Sequence, residues 1–233
     1  MQIFLGLVFN PDDSILLSPE ESKHCVKVLR KKAGDIIHII DGKGNLFEAK
    51  LIETDPAACK AIIVSKKQIA PTKNYRLHIA ISPTKNPDRI EWMLEKCTEM
   101  GVDEFSFFVC KRTEKPTVKL ERLQKIAESA VKQSIQGIIP VINNVVSFKE
   151  FISLHKNTGE KKYIAHCIDE TKTELKNILV PSKNIILVGP EGDFTEDEIK
   201  LALENNYSAL SLGETRLRTE TAGLFAAAAF KII

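Results

Sequence analysis

The sequence predicts an α/β protein in which a small N-terminal β-barrel precedes a larger domain built on a parallel sheet. Short β-type segments separated by turns fill residues 1–70, and strands alternate with amphipathic helices over residues 71–233. Closely spaced short strands are typical of small barrels. Alternating strands and helices are typical of a parallel sheet covered by helices on both faces. The predicted domains are therefore residues 1–70 and 71–233.

Four strands are predicted in the first domain: residues 3–8, 36–40, 46–53 and 59–65. The residues at 41–45, Asp-Gly-Lys-Gly-Asn, are a hairpin signal between the second and third of these strands. Asp55-Pro56 breaks the chain again before the fourth strand. Residues 68–74, which include Pro71, are predicted to form the linker between the domains.

Five strands are predicted in the second domain: residues 77–81, 102–110, 163–168, 185–188 and 209–212. A helix that begins at Asp88 has its apolar residues on one face, and Gly101 is placed to end it. A second amphipathic helix covers residues 120–131. Thr195 and Glu198 have the spacing of a capping box for a third helix, and an alanine-rich helix closes the chain.

Composition excludes several classes of protein. The chain has 233 residues with 43% hydrophobic and 27% charged residues, which is ordinary for a soluble globular protein. The five cysteines form no C-x-x-C pair, which favours reduced thiols in a cytoplasmic protein over disulfides or zinc. The histidines form no metal-binding motif, and no apolar run reaches the length of a membrane span. We therefore expect no metal and no membrane partner.

One segment is strongly basic although the net charge is only +2. Residues 23–32 contain five basic residues and no acidic residue: Lys23, Lys27, Arg30, Lys31 and Lys32. Such a segment is either a solvated surface or a patch that contacts the phosphates of a nucleic acid.

Two strand-to-helix loops share one design. Residues 188–194 contain Gly189, Glu191 and Gly192, and residues 212–218 contain Gly213 and two arginines. In parallel sheets, ligands bind at the carboxyl ends of the strands, where such glycines let the backbone approach a ligand. Neither loop has the glycine pattern of a nucleoside triphosphate or dinucleotide site. The alternative is that each loop is an ordinary turn.

The two loops, together with upstream segments, resemble the RsmE family of 16S ribosomal RNA (uracil-N3) methyltransferases in the SPOUT superfamily. The resemblance rests on GPEGDF at residues 189–194 and on Leu-Gly at 212–213 followed by LRTETA at 217–222. It extends to these upstream segments: His24 with Val-Leu-Arg at 28–30, Lys85, residues 96–102, Arg112-Thr113 and Gln133-Ser134. Three positions depart from the family pattern: Asp193 replaces a usual glycine, Gln136 a common basic residue, and Thr215-Arg216 a common Arg-Ile pair.

The resemblance implies a PUA-like RNA-binding barrel at residues 1–70 and a SPOUT domain with a C-terminal trefoil knot at residues 71–233. It implies a homodimer that binds S-adenosyl-L-methionine and acts on 16S ribosomal RNA or on the assembled 30S subunit. The residues expected to bind the cofactor are Leu187, Gly189, Glu191, Gly192, Leu212, Gly213 and Leu217. Those expected to bind RNA are Lys27, Arg30, Lys31, Arg112 and Arg216.

The chemistry of uracil N3 suggests roles for the remaining residues. The N3 proton is lost only well above neutral pH, so the enzyme must stabilise the anion that forms, and a guanidinium does so without acting as a base. Arg218 is the first candidate for this role and Arg216 a weaker one. Glu220 and Glu191 are candidates for the base, although Glu220 could equally be a structural carboxylate at the start of a helix.

Two alternatives remain open on sequence alone. The chain could be another SPOUT methyltransferase that acts on a ribose 2′-hydroxyl or on transfer RNA. It could also be a non-catalytic RNA-binding assembly factor, an alternative that the intact glycines and Arg218 disfavour.

Overall fold

The computed structural model describes residues 2–69 and 73–232, which form two compact units. The first unit contains the described residues before residue 73 together with residues 128–139, and the second contains the remainder. Residues 128–139 thus pack with the barrel although they lie in the middle of the second predicted domain. Residues 70–72 of the predicted linker lie outside the described residues.

The first unit is a closed five-stranded barrel. Its strands are β1 (Ile3–Phe9), β2 (Ser14–Leu17), β3 (Ile36–Ile40), β4 (Asn45–Asp55) and β5 (Ala58–Gln68). They are arranged in the order β1-β2-β5-β4-β3, and β1 closes the barrel by pairing parallel with β3. The sequence predicted four of these strands and missed β2, because four residues are too few to show a clear alternation.

The hairpin between β3 and β4 forms as predicted. The Asp41 carboxylate accepts hydrogen bonds from the backbone N–H groups of Lys43 at 2.8 Å and Asn45 at 3.1 Å. Gly42 and Gly44 have φ angles of 70° and 102°, which favour glycine. The turn chemistry therefore sets the register in which β4 returns beside β3.

The basic segment begins in a short helix that the sequence did not predict. This helix, α1 (Pro19–Lys23), continues into a π-helical turn (His24–Val28). Ser18 caps α1, because its hydroxyl oxygen accepts a hydrogen bond from the Glu21 N–H at 3.2 Å. Cys25 is buried in the barrel core, while Lys27 is exposed. The turn is thus anchored by its apolar side and presents its charges to solvent.

The second unit is an α/β domain. Its strands are β6 (Arg76–Ile81), β7 (Glu104–Val109), β8 (Val141–Ser147), β9 (Lys161–Ala165), β10 (Thr173–Glu174), β11 (Lys183–Val188) and β12 (Tyr207–Ser211). They form one sheet in the order β10-β12-β9-β11-β6-β7-β8, and every neighbouring pair is parallel. The predicted parallel sheet is confirmed, and β8 and β10 are additions at its edges.

Helices cover both faces of this sheet, as predicted. After α1, the helices are α2 (Pro87–Met100), α3 (Leu120–Gln133), α4 (Phe148–Leu154), α5 (Glu196–Glu204) and α6 (Thr219–Lys231). Ile79 and Ile186 share an apolar cluster with α2, α6 and the first part of α3. Ala80 and Leu187, one residue further along the same strands, share a second cluster with α4 and α5. Successive side chains point to opposite faces, so both faces of the central strands are buried.

Local signals correctly placed two helix ends. Gly101 ends α2 with a left-handed φ of 88°, and its N–H group bonds to the carbonyls of Cys97 and Thr98. At the start of α5, Thr195 and Glu198 form a complete capping box. The sequence missed α4, although Ser147 caps it by accepting a bond from the Glu150 N–H at 3.1 Å.

Candidate functional site

A cleft of about 670 Å³ lies at the carboxyl ends of β9, β11 and β12. These strands are neighbours in the sheet, so the loops that follow them meet at one edge. Seven residues predicted as functional line this cleft: Gly189, Glu191, Leu212, Gly213, Arg216, Leu217 and Arg218. Its position agrees with the general rule that ligands bind at the carboxyl ends of parallel strands.

The loop after β11 is held in place from two directions. The Gly189 carbonyl accepts a hydrogen bond from Thr219 Oγ1 at 3.1 Å. A Cβ at Gly189 would lie 3.0 Å from the Phe194 ring, so glycine allows the loop to fold tightly over that ring. Glu191 Oε1 accepts a hydrogen bond from the Lys85 N–H at 3.0 Å. The loop therefore faces the cleft in one fixed conformation.

The loop after β12 is more open. Gly213 has a φ of 116°, and a Cβ built there would have no neighbour within 4 Å. Arg216 and Arg218 are both exposed and line the cleft. Arg218 is the N-cap residue of α6 with extended backbone, and its side chain makes no capping hydrogen bond. Two guanidiniums are therefore held at the mouth of the cleft.

The sequence reasoning missed a third loop, which follows β9. His166, Cys167, Asp169 and Lys172 line the cleft from this side. The His166 side chain is buried, and burial lowers the pKa of its imidazole, which is therefore neutral at pH 7. Lys172 Nζ donates a hydrogen bond to the His166 carbonyl at 2.7 Å. The strand was predicted to extend over residues 163–168, which hid the fact that it ends at Ala165 and that the next residues face a ligand.

Four residues predicted as functional do not line the cleft. Leu187 is buried on the sheet face that packs against α4 and α5. The Gly192 carbonyl accepts a hydrogen bond at 2.8 Å from Arg112 Nη1, which supports the loop from outside. Glu220 is only 7% exposed, and its Oε1 lies 3.7 Å from Arg89 Nε on α2. The structure thus brings together the glycines and arginines but not Glu220.

The three basic residues predicted to bind RNA lie in the first unit. Lys27 and Arg30 are exposed and Lys31 is half-buried. Arg30 has a left-handed φ of 55°, so the chain turns sharply at this residue as it leaves the π-helical turn. All three residues follow or belong to the turn, where they form one short basic surface.

Neither metal ligands nor a membrane-spanning segment emerges from the described residues. Within residues 2–69 and 73–232, His, Cys, Asp and Glu side chains do not gather in threes suited to a metal ion. None of the helices described in the chain combines the length and apolarity needed to cross a bilayer. The five cysteines are free, and only Cys167 is exposed.

Family models match most of the chain. Residues 71–231 match the RNA methyltransferase domain, and residues 17–64 match the RNA methyltransferase PUA domain. A curated relative from Bacillus subtilis, ribosomal RNA small subunit methyltransferase E, is 31% identical over 231 residues. That match covers 91% of this chain and 88% of the relative.

Solved structures agree with the sequence relatives. A probable rRNA-methyltransferase from Porphyromonas gingivalis is 36% identical with a TM-score of 0.89, and the match covers 98% of this chain and 96% of that one. Ribosomal RNA small subunit methyltransferase E from Neisseria gonorrhoeae, solved bound to S-adenosyl methionine, is 27% identical with a TM-score of 0.86. That match covers 100% of this chain and 97% of the other. The chain belongs to the ribosomal RNA small subunit methyltransferase E family.

Proposed function

We propose that this protein transfers a methyl group from S-adenosyl-L-methionine to N3 of one uridine in 16S ribosomal RNA. The observation that carries the proposal is the cleft formed by the loops after β9, β11 and β12, with Arg218 at its mouth. Its membership of the methyltransferase family supports the reaction class. The choice of N3 rests on the two loop motifs and on the chemistry of the arginine.

The residues of the cleft fit such a donor. Its volume of about 670 Å³ lies within the usual range for small-molecule sites, roughly 300–1,000 Å³. Gly189 and Gly213 bring backbone close to the ligand space, and Leu212 and Leu217 add apolar surface. Asp193 and Glu191 place carboxylates in a cleft that would hold a cation. The donor supplies an electrophilic methyl group on a sulfonium, and the loops would hold and orient it.

Arg218 is proposed to stabilise the uracil anion. Its side chain is exposed at the cleft and makes no capping bond to α6, so it is available to a substrate. A guanidinium stays protonated and can offer two parallel N–H groups to a carbonyl and its neighbouring anion. A charge held in place before the reaction lowers the barrier because it needs no reorganisation. Arg216, on the same rim, is a second and weaker candidate.

The two candidate bases differ in position. Glu191 lines the cleft, whereas Glu220 faces Arg89 and lies in the first turn of α6. The placement of Glu220 supports the structural role that the sequence left open, because a carboxylate near a helix N-terminus also favours the helix dipole. We therefore propose Glu191 as the residue that accepts the N3 proton, directly or through water.

The remaining proposals concern partners and location. The basic residues Lys27, Arg30, Lys31, Arg112 and Arg216 would contact the RNA backbone, and the substrate would be the 16S RNA or the assembled 30S subunit in the cytoplasm. The RsmE-like motifs also support a trefoil knot around the cleft and a homodimer. Sedimentation at micromolar protein concentration tests the dimer, and a monomer there contradicts it.

Mapping the methylated position tests the function. Ribosomal RNA from a deletion strain should lose one N3-methyluridine, and the purified protein with donor should restore it on naked 16S RNA, on 30S subunits, or on both. N3 methylation blocks base pairing and stops reverse transcription at that uridine. A methyl group mapped to a ribose hydroxyl or to transfer RNA would favour the other SPOUT activities. Failure to bind donor in calorimetry would favour a non-catalytic assembly factor.

A further inference from the structure

We propose that Asp193 is a positioning residue that ties the loop after β9 to the loop after β11 and so holds the donor cleft at its working width. This inference rests on the proposed function, because it assumes that the cleft binds the methyl donor. The two loops are joined through the carboxylate of a residue where related sequences usually have glycine.

The geometry of Asp193 explains the tie. Its Oδ2 accepts a hydrogen bond from the Cys167 N–H at 2.8 Å, across a separation of 26 residues. Its Oδ1 accepts a hydrogen bond from the Phe194 N–H, also at 2.8 Å. Asp193 and Cys167 both line the cleft. One half-buried carboxylate therefore joins two walls of the site through two backbone groups.

The backbone at Asp193 accounts for the usual glycine at this position. Its φ of 62° lies in the left-handed region, where glycine is unstrained and aspartate is among the better tolerated residues. A glycine here would keep the loop conformation but could not reach Cys167. Hydrogen bonds to an ionised carboxylate are stronger than neutral ones, so the aspartate adds a constraint that glycine lacks.

The cleft also depends on this tie because its third wall is otherwise lightly held. Cys167 is exposed, and the residues after it, Ile168, Asp169 and Glu170, are exposed as well. Lys172 returns to the His166 carbonyl at 2.7 Å, so one basic side chain closes this loop on itself. Asp193 supplies the link from this loop to the loop after β11. Loss of that link would widen the site without disturbing the sheet.

Three variants separate the contributions of the carboxylate. Asp193→Gly removes both hydrogen bonds and keeps the backbone unstrained. Asp193→Asn tolerates the same backbone and keeps one acceptor oxygen for Cys167. Asp197→Asn is the control, because it removes one carboxylate charge from the exposed first turn of α5. Each full-length protein is tested for binding of S-adenosyl-L-methionine and of its uncharged product, S-adenosyl-L-homocysteine.

Asp193→Gly should weaken binding of donor and product equally, by about tenfold, as expected for losing charge-assisted hydrogen bonds that shape the site. Hydrogen exchange at the Cys167 amide should accelerate, and methyl transfer at saturating donor should change by less than about threefold. Asp193→Asn should lie between Asp193→Gly and the wild type. Asp197→Asn should match the wild type in all three measurements.

Two results would overturn the role of Asp193. One is unchanged Cys167 exchange and unchanged affinities in Asp193→Gly. The other is weaker binding of the donor alone, which would mean that the carboxylate contacts the sulfonium charge and does not act through the loop. A wild-type protein that binds neither compound would overturn the proposed function itself. Wild-type binding with an unaffected Asp193→Gly variant would overturn only the tie.

Discussion

Thr219 Oγ1 donates a hydrogen bond of 3.1 Å to the Gly189 carbonyl, and the bond is buried. Thr219 is the first residue of α6, and Gly189 is the first residue after β11. The bond therefore connects the two glycine-containing loops at the base of the cleft. It also fixes the backbone next to Arg218, whose side chain we assign to the uracil.

Replacing this threonine tests the connection. Thr219→Val keeps the side-chain shape but leaves the Gly189 carbonyl without its donor. We expect the free energy of unfolding to fall by about 1–3 kcal/mol, the usual cost of leaving a buried polar group unpaired. Donor affinity should fall as well. Denaturant titration and calorimetry measure the two effects, and Thr221→Val makes the same chemical change two residues along the helix. Equal effects of both variants would show that the bond to Gly189 is unimportant.

Arg218→Ala should retain folding and most donor binding but lose methyl transfer. Removing one preorganised charge-stabilising group typically lowers the rate on the order of 10²–10³-fold. The loss should appear in single-turnover rates with saturating RNA, and higher pH should recover part of it because the uracil then ionises more easily. Arg218→Lys should restore activity only in part, since a point charge cannot replace a planar pair of donors.

The opposite pattern would assign Arg218 to the cofactor. If Arg218→Ala abolishes donor binding but keeps the rate at saturating donor, its guanidinium does not act on the uracil. Arg216→Ala is the matched control on the same rim of the cleft, and we expect the smaller loss of rate from it.

The basic surface of the first unit should control RNA binding. Changing Lys27, Arg30 and Lys31 to alanine should weaken RNA binding and spare donor binding. The log–log salt dependence of RNA binding should become shallower by up to about three units, because each lost phosphate contact releases fewer counterions. A control variant removes three exposed lysines of the second unit, namely Lys149, Lys161 and Lys200. An unchanged slope in the first variant would mean that the segment is only a solvated surface.

Gly213 is expected to be needed for its backbone conformation alone. It has a φ of 116°, and an added Cβ would meet nothing within 4 Å, so Gly213→Ala introduces strain without a clash. The strain should cost about 1–3 kcal/mol or shift the loop, and donor affinity should fall in either case. Gly159→Ala is the control, because a Cβ there also meets nothing within 4 Å. Thermal unfolding and calorimetry should separate the two variants, and equal behaviour would contradict this reasoning.

His78 should make stability depend on pH. Its ring is buried, its Nε2 lies 2.8 Å from Ser106 Oγ, and burial lowers its pKa from 6.5 to about 4. Glu104 opposes this shift, and His155 adds to it. Between about pH 6.5 and pH 4 the unfolded chain binds a proton that the folded chain does not. The free energy of unfolding should therefore fall as the pH falls through this window.

A variant isolates the contribution of His78. His78→Gln keeps a polar group near Ser106 but cannot titrate, so the stability of this variant should depend less on pH between pH 4 and pH 6.5. The remaining dependence belongs to groups such as His155, whose pKa burial also lowers. Denaturant midpoints at several pH values measure the slope. Identical slopes in the variant and the wild type would exclude His78 as a source.

The features that the sequence predicted well are those set by neighbouring residues. Gly101 ends α2, and Thr195 with Glu198 starts α5, because each signal is complete within one turn of chain. The glycine loops were recognisable because the strands before them are apolar and the helices after them are capped. Their convergence on one cleft followed from the parallel sheet.

The features that it missed depend on distant partners. Cys167 joins the site through Asp193, and nothing near either residue indicates that bond. Glu220 turns towards Arg89 on another helix, which a motif centred on α6 could not show. The edge strand β8 carries Asn143, whose amide bonds to Glu104 at 2.7 Å, so its polar residues concealed a strand that is paired on one side. Contacts between remote residues decide such cases.

The position of β11 in the sheet has a consequence for the growing polypeptide. Strand β9 pairs only with β11 and β12, both of which are synthesised after it, and β11 alone bridges it to β6. A nascent chain that has not yet delivered Lys183–Val188 therefore holds β9 apart from the strands already made. Such distant pairings form late and slowly during folding. The catalytic end of the molecule thus matures only after release of nearly the whole chain from the ribosome.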